Sequence, residues 1–211
     1  MTPSAMQALE ILRKGSETFQ WYVITLLAFV FYVYVVEAEK RNWNLILAGL
    51  AFWGMDWFNE IWNGLVFHFT NYAPVWGAPG QTAYLILIGL NIEICFMFAI
   101  AGIAFTKILP ADKGLRILGI PNRLLFAIIG SIFCVIVELV LNAAGALTWE
   151  YSWWNVGAPW LIFLVGYLPF FLVAFLVFDM PTLRQKAITV GSILGFDLIC
   201  LILFAGILNW I

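Results

Sequence analysis

Residues 123–147 read RLLFAIIGSIFCVIVELVLNAAGAL, and they decide the fold class. After Arg123 the run holds one charge, Glu138. A helix rises ~1.5 Å per residue, so a stretch of this length crosses a hydrocarbon core roughly 30 Å thick. Five more segments of similar character flank it, roughly 18–37, 44–68, 82–106, 158–178 and 188–210. The composition agrees: of 211 residues 64% are hydrophobic and 10% charged, and the mean hydropathy is +0.99. Soluble surfaces need roughly 25–35% charged residues to stay dispersed, so lipid is the natural solvent for most of this one. The expectation is an all-α, polytopic transmembrane helical bundle of about six spans, forming one transmembrane domain over 1–211.

Turn chemistry separates the spans: Glu37 to Asn42, Asn71 to Gln81 with Pro74, Gly77, Pro79 and Gly80, the polar run Lys107 to Asn122, the aromatic stretch Thr148 to Ala158, and Asp179 to Gln185. Basic residues gather in the first, third and fifth loops (Lys40, Arg41; Lys107, Lys113, Arg116, Arg123; Arg184, Lys186). The positive-inside rule makes these loops cytoplasmic and leaves both termini outside. Arg13 and Lys14 run against that rule. Met6, Leu9 and Leu12 follow helical spacing, which places the two cations on a short interfacial helix. Glu10, Arg13, Lys14 and Glu17 precede the first apolar run, unlike the n-region of a signal peptide, so the first span is expected to be retained.

Several function classes fall away. A net charge of −2 without a Lys/Arg-rich run does not suit nucleic acid. Cys95, Cys134 and Cys200 all lie within apolar segments and form no C-x-x-C, so disulfides and thiol chemistry are not expected. His68 is the single histidine, too few for a His-rich metal site, and no metal or cofactor is called for.

What remains is acidic. Asp56, Glu60, Glu93, Glu138 and Asp197 lie within the spans with no Lys or Arg at that depth. An acidic side chain at the bilayer centre costs about 2.5–3.5 kcal/mol even on lenient insertion scales, so these groups should face the bundle interior. Without basic partners the carboxyls must be protonated, share protons, hold a cation or face a developing positive charge. Asp56, Glu60, Asn63 and Phe67 recur at i, i+4, i+7 and i+11 on one helix face, with Asn59 beside it, and Glu138 shares a face with Asn142. Counted at ~1.5 Å per residue, Glu60, Glu93 and Glu138 fall roughly 12–17 Å below the outer surface, with Asp56 and Asp197 a turn deeper. The expectation is one pocket with catalytic carboxyls Glu60, Asp56, Glu93, Glu138 and Asp197. Asn59, Asn63, Asn91 and Asn142 would bind substrate oxygens or orient the acids, and Tyr151, Trp153 and Trp154 would cover the outer mouth.

A faint internal echo points the same way. Glu60-Ile-Trp-Asn63, an aromatic loop and Gly77-Ala-Pro79 are followed about 80 residues later by Glu138 and Asn142, an aromatic loop and Gly157-Ala-Pro159.

Carboxyls among aromatic faces suit one chemistry in particular. An acid protonates an alkene or epoxide, π-faces and carboxylates stabilise the carbocation, and a second carboxylate removes a proton. Asn59-Glu60-Ile-Trp-Asn63 on an early span, with Asp197 on the last, resembles the integral-membrane terpene cyclases of meroterpenoid pathways. That resemblance implies that an acidic pair protonates a farnesyl-type chain and guides its cyclisation. The succession of Glu60, Asn91-Ile-Glu93, Glu138 and the aromatic span from Pro159 to Phe178 is similar to the emopamil-binding-protein group of sterol isomerases, which move a double bond through a carbocation. The likeness covers residues 50–200 and lies in architecture and acid placement. The cyclases have seven spans against the six counted here. The sterol isomerases place a His before their first Glu, whereas His68 follows Glu60.

Three readings follow: a cyclase or isomerase of an isoprenoid or sterol-like lipid, a proton- or cation-coupled transporter or channel, and a lipid- or amine-binding membrane protein. The first expects a closed pocket with a hydrophobic small-molecule substrate and membrane lipid as its partners. The second expects a polar path to both faces.

Overall fold

The computed structural model describes residues 1–15 and 20–211. The start expected for the first span, residues 18 and 19, lies outside the described residues, as does Glu17. The chain is an α-helical membrane bundle. Its helices are α1 (Pro3–Ile11), α2 (Tyr22–Glu39), α3 (Trp43–Thr70), α4 (Ile92–Lys107), α5 (Asn122–Ala143), α6 (Pro159–Asp179) and α7 (Leu183–Ile207). By length and composition α2, α5, α6 and α7 are apolar enough to cross a membrane. At 28 residues α3 is the longest helix, but Asp56, Asn59, Glu60 and Asn63 dilute its apolarity.

The α3 helix is the hub, packed on by α2, α4, α6 and α7, while α5 packs on α6. Small residues set the closest crossing. A Cβ added at Gly102 of α4 would lie 2.7 Å from the Gly49 carbonyl oxygen of α3 and 2.7 Å from Phe52 Cβ. Backbones brought this close gain dispersion contacts that larger side chains would prevent. Outward faces are apolar, with Phe31, Tyr32, Phe133, Val140, Leu176 and Ile199 all more than half exposed. Such a surface is stable only against lipid.

The two ends differ in chemistry. At one, Lys107 bonds the buried carboxylate of Glu37, and Arg123 binds Asp179 with Nε at 2.9 Å and Nη2 at 3.0 Å. All three basic loops meet at this end. At the other, α1 docks by Ala5 and Ala8 onto Phe67, Ala73, Ala78, Leu85 and Ile88, leaving Met6 and Leu9 outward. The loops after α3 and α5 pair there directly: Gly77 N donates to Thr148 O at 3.0 Å, and Thr148 N donates to Gly77 O at 2.8 Å. This is the lid end.

One segment departs from the expected helix over 82–106. Leu85–Leu87 and Leu90–Asn91 form a buried hairpin, and α4 begins only at Ile92, where Asn91 Oδ1 accepts from Ile94 N at 2.8 Å. A short apolar run followed by Gly and a capping Asn suits a buried turn as well as a helix, and periodicity alone does not separate them. The hairpin is held from outside by the segment that follows α1, where Arg13 N donates to Leu85 O at 2.9 Å. Its tip, Gly89, reaches down to α3.

Candidate functional site

The face of α3 bearing Asp56 and Glu60 is covered by the lid loops above and by α6 at the side. Between them lies a chamber of about 40 Å³, lined by Asp56, Asn59, Glu60 and Glu138 and by rings of Trp76, Trp154, Phe98, Tyr167 and Phe170. Among the described residues, no Lys or Arg lines it. Asp56, Glu60 and Glu138 are 3%, 3% and 5% exposed, so they stand in protein, not in lipid or water. Glu60 is within electrostatic reach of Glu138, and Asp56 of both Glu60 and Asp197.

Glu60 is held from one side. Trp76 donates its indole N–H to Oε1 at 2.8 Å, while the buried Oε2 accepts no well-formed hydrogen bond from the described residues, with the Asn63 amide standing beside it. Trp76 is itself placed by Asn63, one turn above Glu60 on α3. Asn63 Oδ1 accepts from Val75 N at 2.7 Å and Trp76 N at 3.2 Å, and its Nδ2 donates to Trp76 O at 2.7 Å. The second unit repeats the plan. Trp149 Nε1 donates to Glu138 Oε1 at 3.1 Å, and Asn142 Nδ2 donates to Leu147 O at 2.9 Å. The faint echo in the sequence thus has a physical counterpart: a Glu, an Asn above it that fixes the following loop, and a Trp from that loop over the Glu.

From the lid end, the hairpin tip closes on the same carboxyl. A Cβ at Gly89 would lie 2.6 Å from Asn63 Nδ2, 2.6 Å from Trp76 Cδ1 and 2.7 Å from Glu60 Oε2. Only a residue without a side chain fits there.

The wall on α6 is built by a break in its hydrogen bonding. Pro169 has no N–H to offer the Val165 carbonyl, and the helix widens to a π-turn over Ile162–Tyr167, in which Leu168 N donates to Phe163 O. Asn59 of α3 takes up the released Val165 carbonyl at 3.4 Å and also donates to Gly166 O at 3.2 Å. The turn delivers Tyr167 into the chamber beside Glu138.

The structure therefore brings Asp56, Glu60, Glu138, Asn59 and Trp154 together around the chamber and places the other expected site residues elsewhere. Asp197 is 3% exposed, has no hydrogen-bond partner for either carboxylate oxygen among the described residues, faces Gly54 of α3 and does not line the chamber. Glu93 is not level with the other acids. With α4 starting at Ile92 it lies in the first turn, where Ala83 N donates to Oε1 at 3.0 Å, Thr82 Oγ1 donates to Oε2 at 2.5 Å and Tyr22 also binds Oε1. There it joins α2 and the loop to α4. Asn91 caps α4, and Asn63, Asn142 and Asn59 bind backbone carbonyls. Trp154, 2% exposed, stacks on Trp76 at 5.4 Å and lines the chamber. Trp153 is 42% exposed, and Tyr151 fastens one lid to the other through Ala73 O at 2.9 Å. His68 stacks on Trp210 at 4.7 Å, outside the chamber.

Trp76, Trp149, Tyr167 and Gly89 were not among the expected site residues. Trp76 and Trp149 carried a signal, as tryptophans in the two lids that follow acid-bearing helices, but the bond each makes depends on how its loop folds back.

Over residues 2–206 the chain matches an uncharacterized membrane protein family. It is 60% identical over 210 residues to an uncharacterized protein of Archaeoglobus fulgidus, covering 100% of this chain and 99% of that one. A shorter uncharacterized protein of the same organism is 58% identical over 53 residues, 25% of this chain and 95% of its own length. No solved structure matches the chain.

Proposed function

This chain belongs to that family of membrane proteins, and we propose that it is a membrane-embedded cyclase or isomerase acting on an isoprenoid or sterol-like lipid by acid-initiated carbocation chemistry. One observation carries the reading: Glu60 is fixed through Oε1 by an indole N–H while its second oxygen lies in a chamber walled by aromatic rings. In the proposed step Oε2–H gives its proton to an alkene carbon and the neighbouring carbon becomes the cation. The faces of Trp76, Trp154 and Phe170 stabilise that charge. Glu138, as carboxylate, then takes a proton from the carbon next to the cation. The π-bond re-forms in a new place, or after ring closure, and substrate and product are isomers. The proton taken up by Glu138 then returns to Glu60, which lies within its electrostatic reach, and the acid is restored. Burial excludes the water that would otherwise trap the cation.

The transport reading is less well supported by what lies beneath the acids. Towards the basic end Phe52, Phe98, Phe105, Phe170 and Phe171 interlock, with Phe52–Phe171 at 4.9 Å and Phe105–Phe171 at 5.0 Å. The buried hydroxyls nearby, Thr106 and Ser131, donate to carbonyls of their own helices. Among the described residues a hydrated ion finds no polar foothold between these rings, and Asp197 lies outside them, facing Gly54.

The test is a mass-spectrometric lipid profile of membranes carrying the wild type or Glu60→Gln, each supplied with farnesyl- and geranylgeranyl-bearing substrates and sterol precursors. The expected result is an isomer of one substrate with the wild type, lost in a Glu60→Gln protein that still folds. If no substrate is converted and Glu60→Gln changes proton or cation flux into vesicles, the carboxyls serve transport.

A further inference from the structure

The acid chamber is too small for a whole lipid. Its 40 Å³ is far below the roughly 300–1,000 Å³ of pockets that hold a whole small molecule, so only the reacting carbons fit. The chamber does, however, adjoin a second cavity of about 100 Å³, and the two share Ile94, Phe98, Glu138, Leu147 and Tyr167 as walls. This second space is a slot between α4 and α5. From Ile94 to Phe105 it follows α4 for roughly 16 Å. Apart from Glu138, Tyr167 and Cys134, its walls are apolar, including Met97, Ala101, Phe133 and Val137.

The slot exists because α4 and α5 each pack on α6 but barely approach one another. Towards the basic end the gap is closed by Phe105 against Phe133, ring centroids 5.9 Å apart. At its lipid-facing mouth stand Met97, 43% exposed, and Phe133, 55% exposed. Around these helices the medium is hydrocarbon, and a groove whose walls are apolar apart from Glu138, Tyr167 and Cys134 takes hydrocarbon.

We propose that a single isoprenoid chain enters sideways from the bilayer between α4 and α5 and lies along this slot, with its reactive end among Asp56, Glu60 and Glu138. The inference rests on the lipid-enzyme reading and assigns its substrate class: a single-chain prenyl lipid, as opposed to a rigid polycycle or a two-chain lipid. The slot follows one helix pair in a line and is one chain wide. Met97 is suited to the mouth because its unbranched, flexible side chain can yield without opening the bundle.

The test uses the full chain in lipid vesicles with an alkyne-tagged, diazirine-bearing farnesol as probe. The probe is photolysed in place and the labelled peptides are mapped. Labelling should concentrate on residues of α4 and α5 that line the slot. It should fall about tenfold when the slot is filled by Ala101→Trp, or its mouth by the exposed Met97→Trp should the first variant not fold. Glu60→Gln should keep the labelling while losing any isomerisation. Labelling spread over lipid-facing residues such as Phe31 and Tyr32, and unchanged in both Trp variants, overturns the slot, as does full conversion by Ala101→Trp. Slot labelling with no conversion by the wild type overturns the enzyme reading and leaves the slot in place.

Discussion

Trp76 and Glu60 are joined by a buried hydrogen bond of 2.8 Å that ties the first lid to the centre of the longest helix. The bond orients the carboxyl and the ring together, so the acid and one of the π-faces around it are set by one contact. Trp76→Phe keeps most of the ring and removes the donor. In the assay above it should lower turnover about tenfold, whereas Glu60→Gln should lower it ~10²–10⁴-fold, the usual worth of a general acid. Equal losses in the two variants would mean that Trp76 matters as structure alone.

Gly89→Ala places a methyl within 2.7 Å of Glu60 Oε2 and 2.6 Å of Asn63 and Trp76. None of these neighbours is free to move, since Asn63 is fixed by three hydrogen bonds. Overpacking of this kind costs about 1–3 kcal/mol. Thermal unfolding in detergent should register a lower midpoint. An unchanged midpoint would show that the hairpin tip yields easily.

Asn63→Ala leaves two backbone N–H groups and one carbonyl buried without partners, at a cost of roughly 1–3 kcal/mol. Asn142→Ala, at the matching place in the second unit, removes a single bond to Leu147 O from a partly exposed residue and should cost less. Denaturant titration of both variants gives the ranking, and a reversed order would argue against the first lid as the tighter of the two.

Pro169 and Asn59 should be coupled. Pro169→Ala supplies the N–H that Val165 O lacks, so Asn59→Ala should then cost less than in the wild type, with an interaction energy of about 1 kcal/mol in a double-mutant cycle. Straightening the π-turn should also withdraw Tyr167 from Glu138 and depress turnover. Strict additivity would show that Asn59 does not compensate for the proline.

At the basic end, Arg123 holds Asp179 with two nitrogens while both side chains are largely covered, 16% and 24% exposed. Arg123→Lys keeps the charge and gives up the forked geometry. A loss of up to about 1 kcal/mol is expected, detectable as a small drop in unfolding temperature and weaker in high salt.

Much of the bundle was legible because lipid demands long apolar runs and an i, i+4, i+7 spacing puts Asp56, Glu60 and Asn63 on one face whatever surrounds the helix. Glu93 shows where such reading stops. Its depth was counted from a helix start at residue 82, but the run from Leu85 to Leu90 turns back on itself, so Glu93 sits near the lid end with Thr82, Ala83 and Tyr22. The asparagines show a second limit: residue type announces hydrogen bonding but not the partner, and here the partners are backbone atoms of loops and of a broken helix.

The sequence by itself determined a helical membrane protein with acids inside its spans and no cations to pair them, because hydropathy and charge are properties of segments. Tertiary structure alone decided that Asp56, Glu60 and Glu138 share one chamber, that Trp76 and Trp149 cover two of them, and that an apolar slot leads from there to the lipid. Those relations join residues 16, 11 and some 80 positions apart. They follow from how loops fold back and how far apart two helices stand, which no local periodicity encodes.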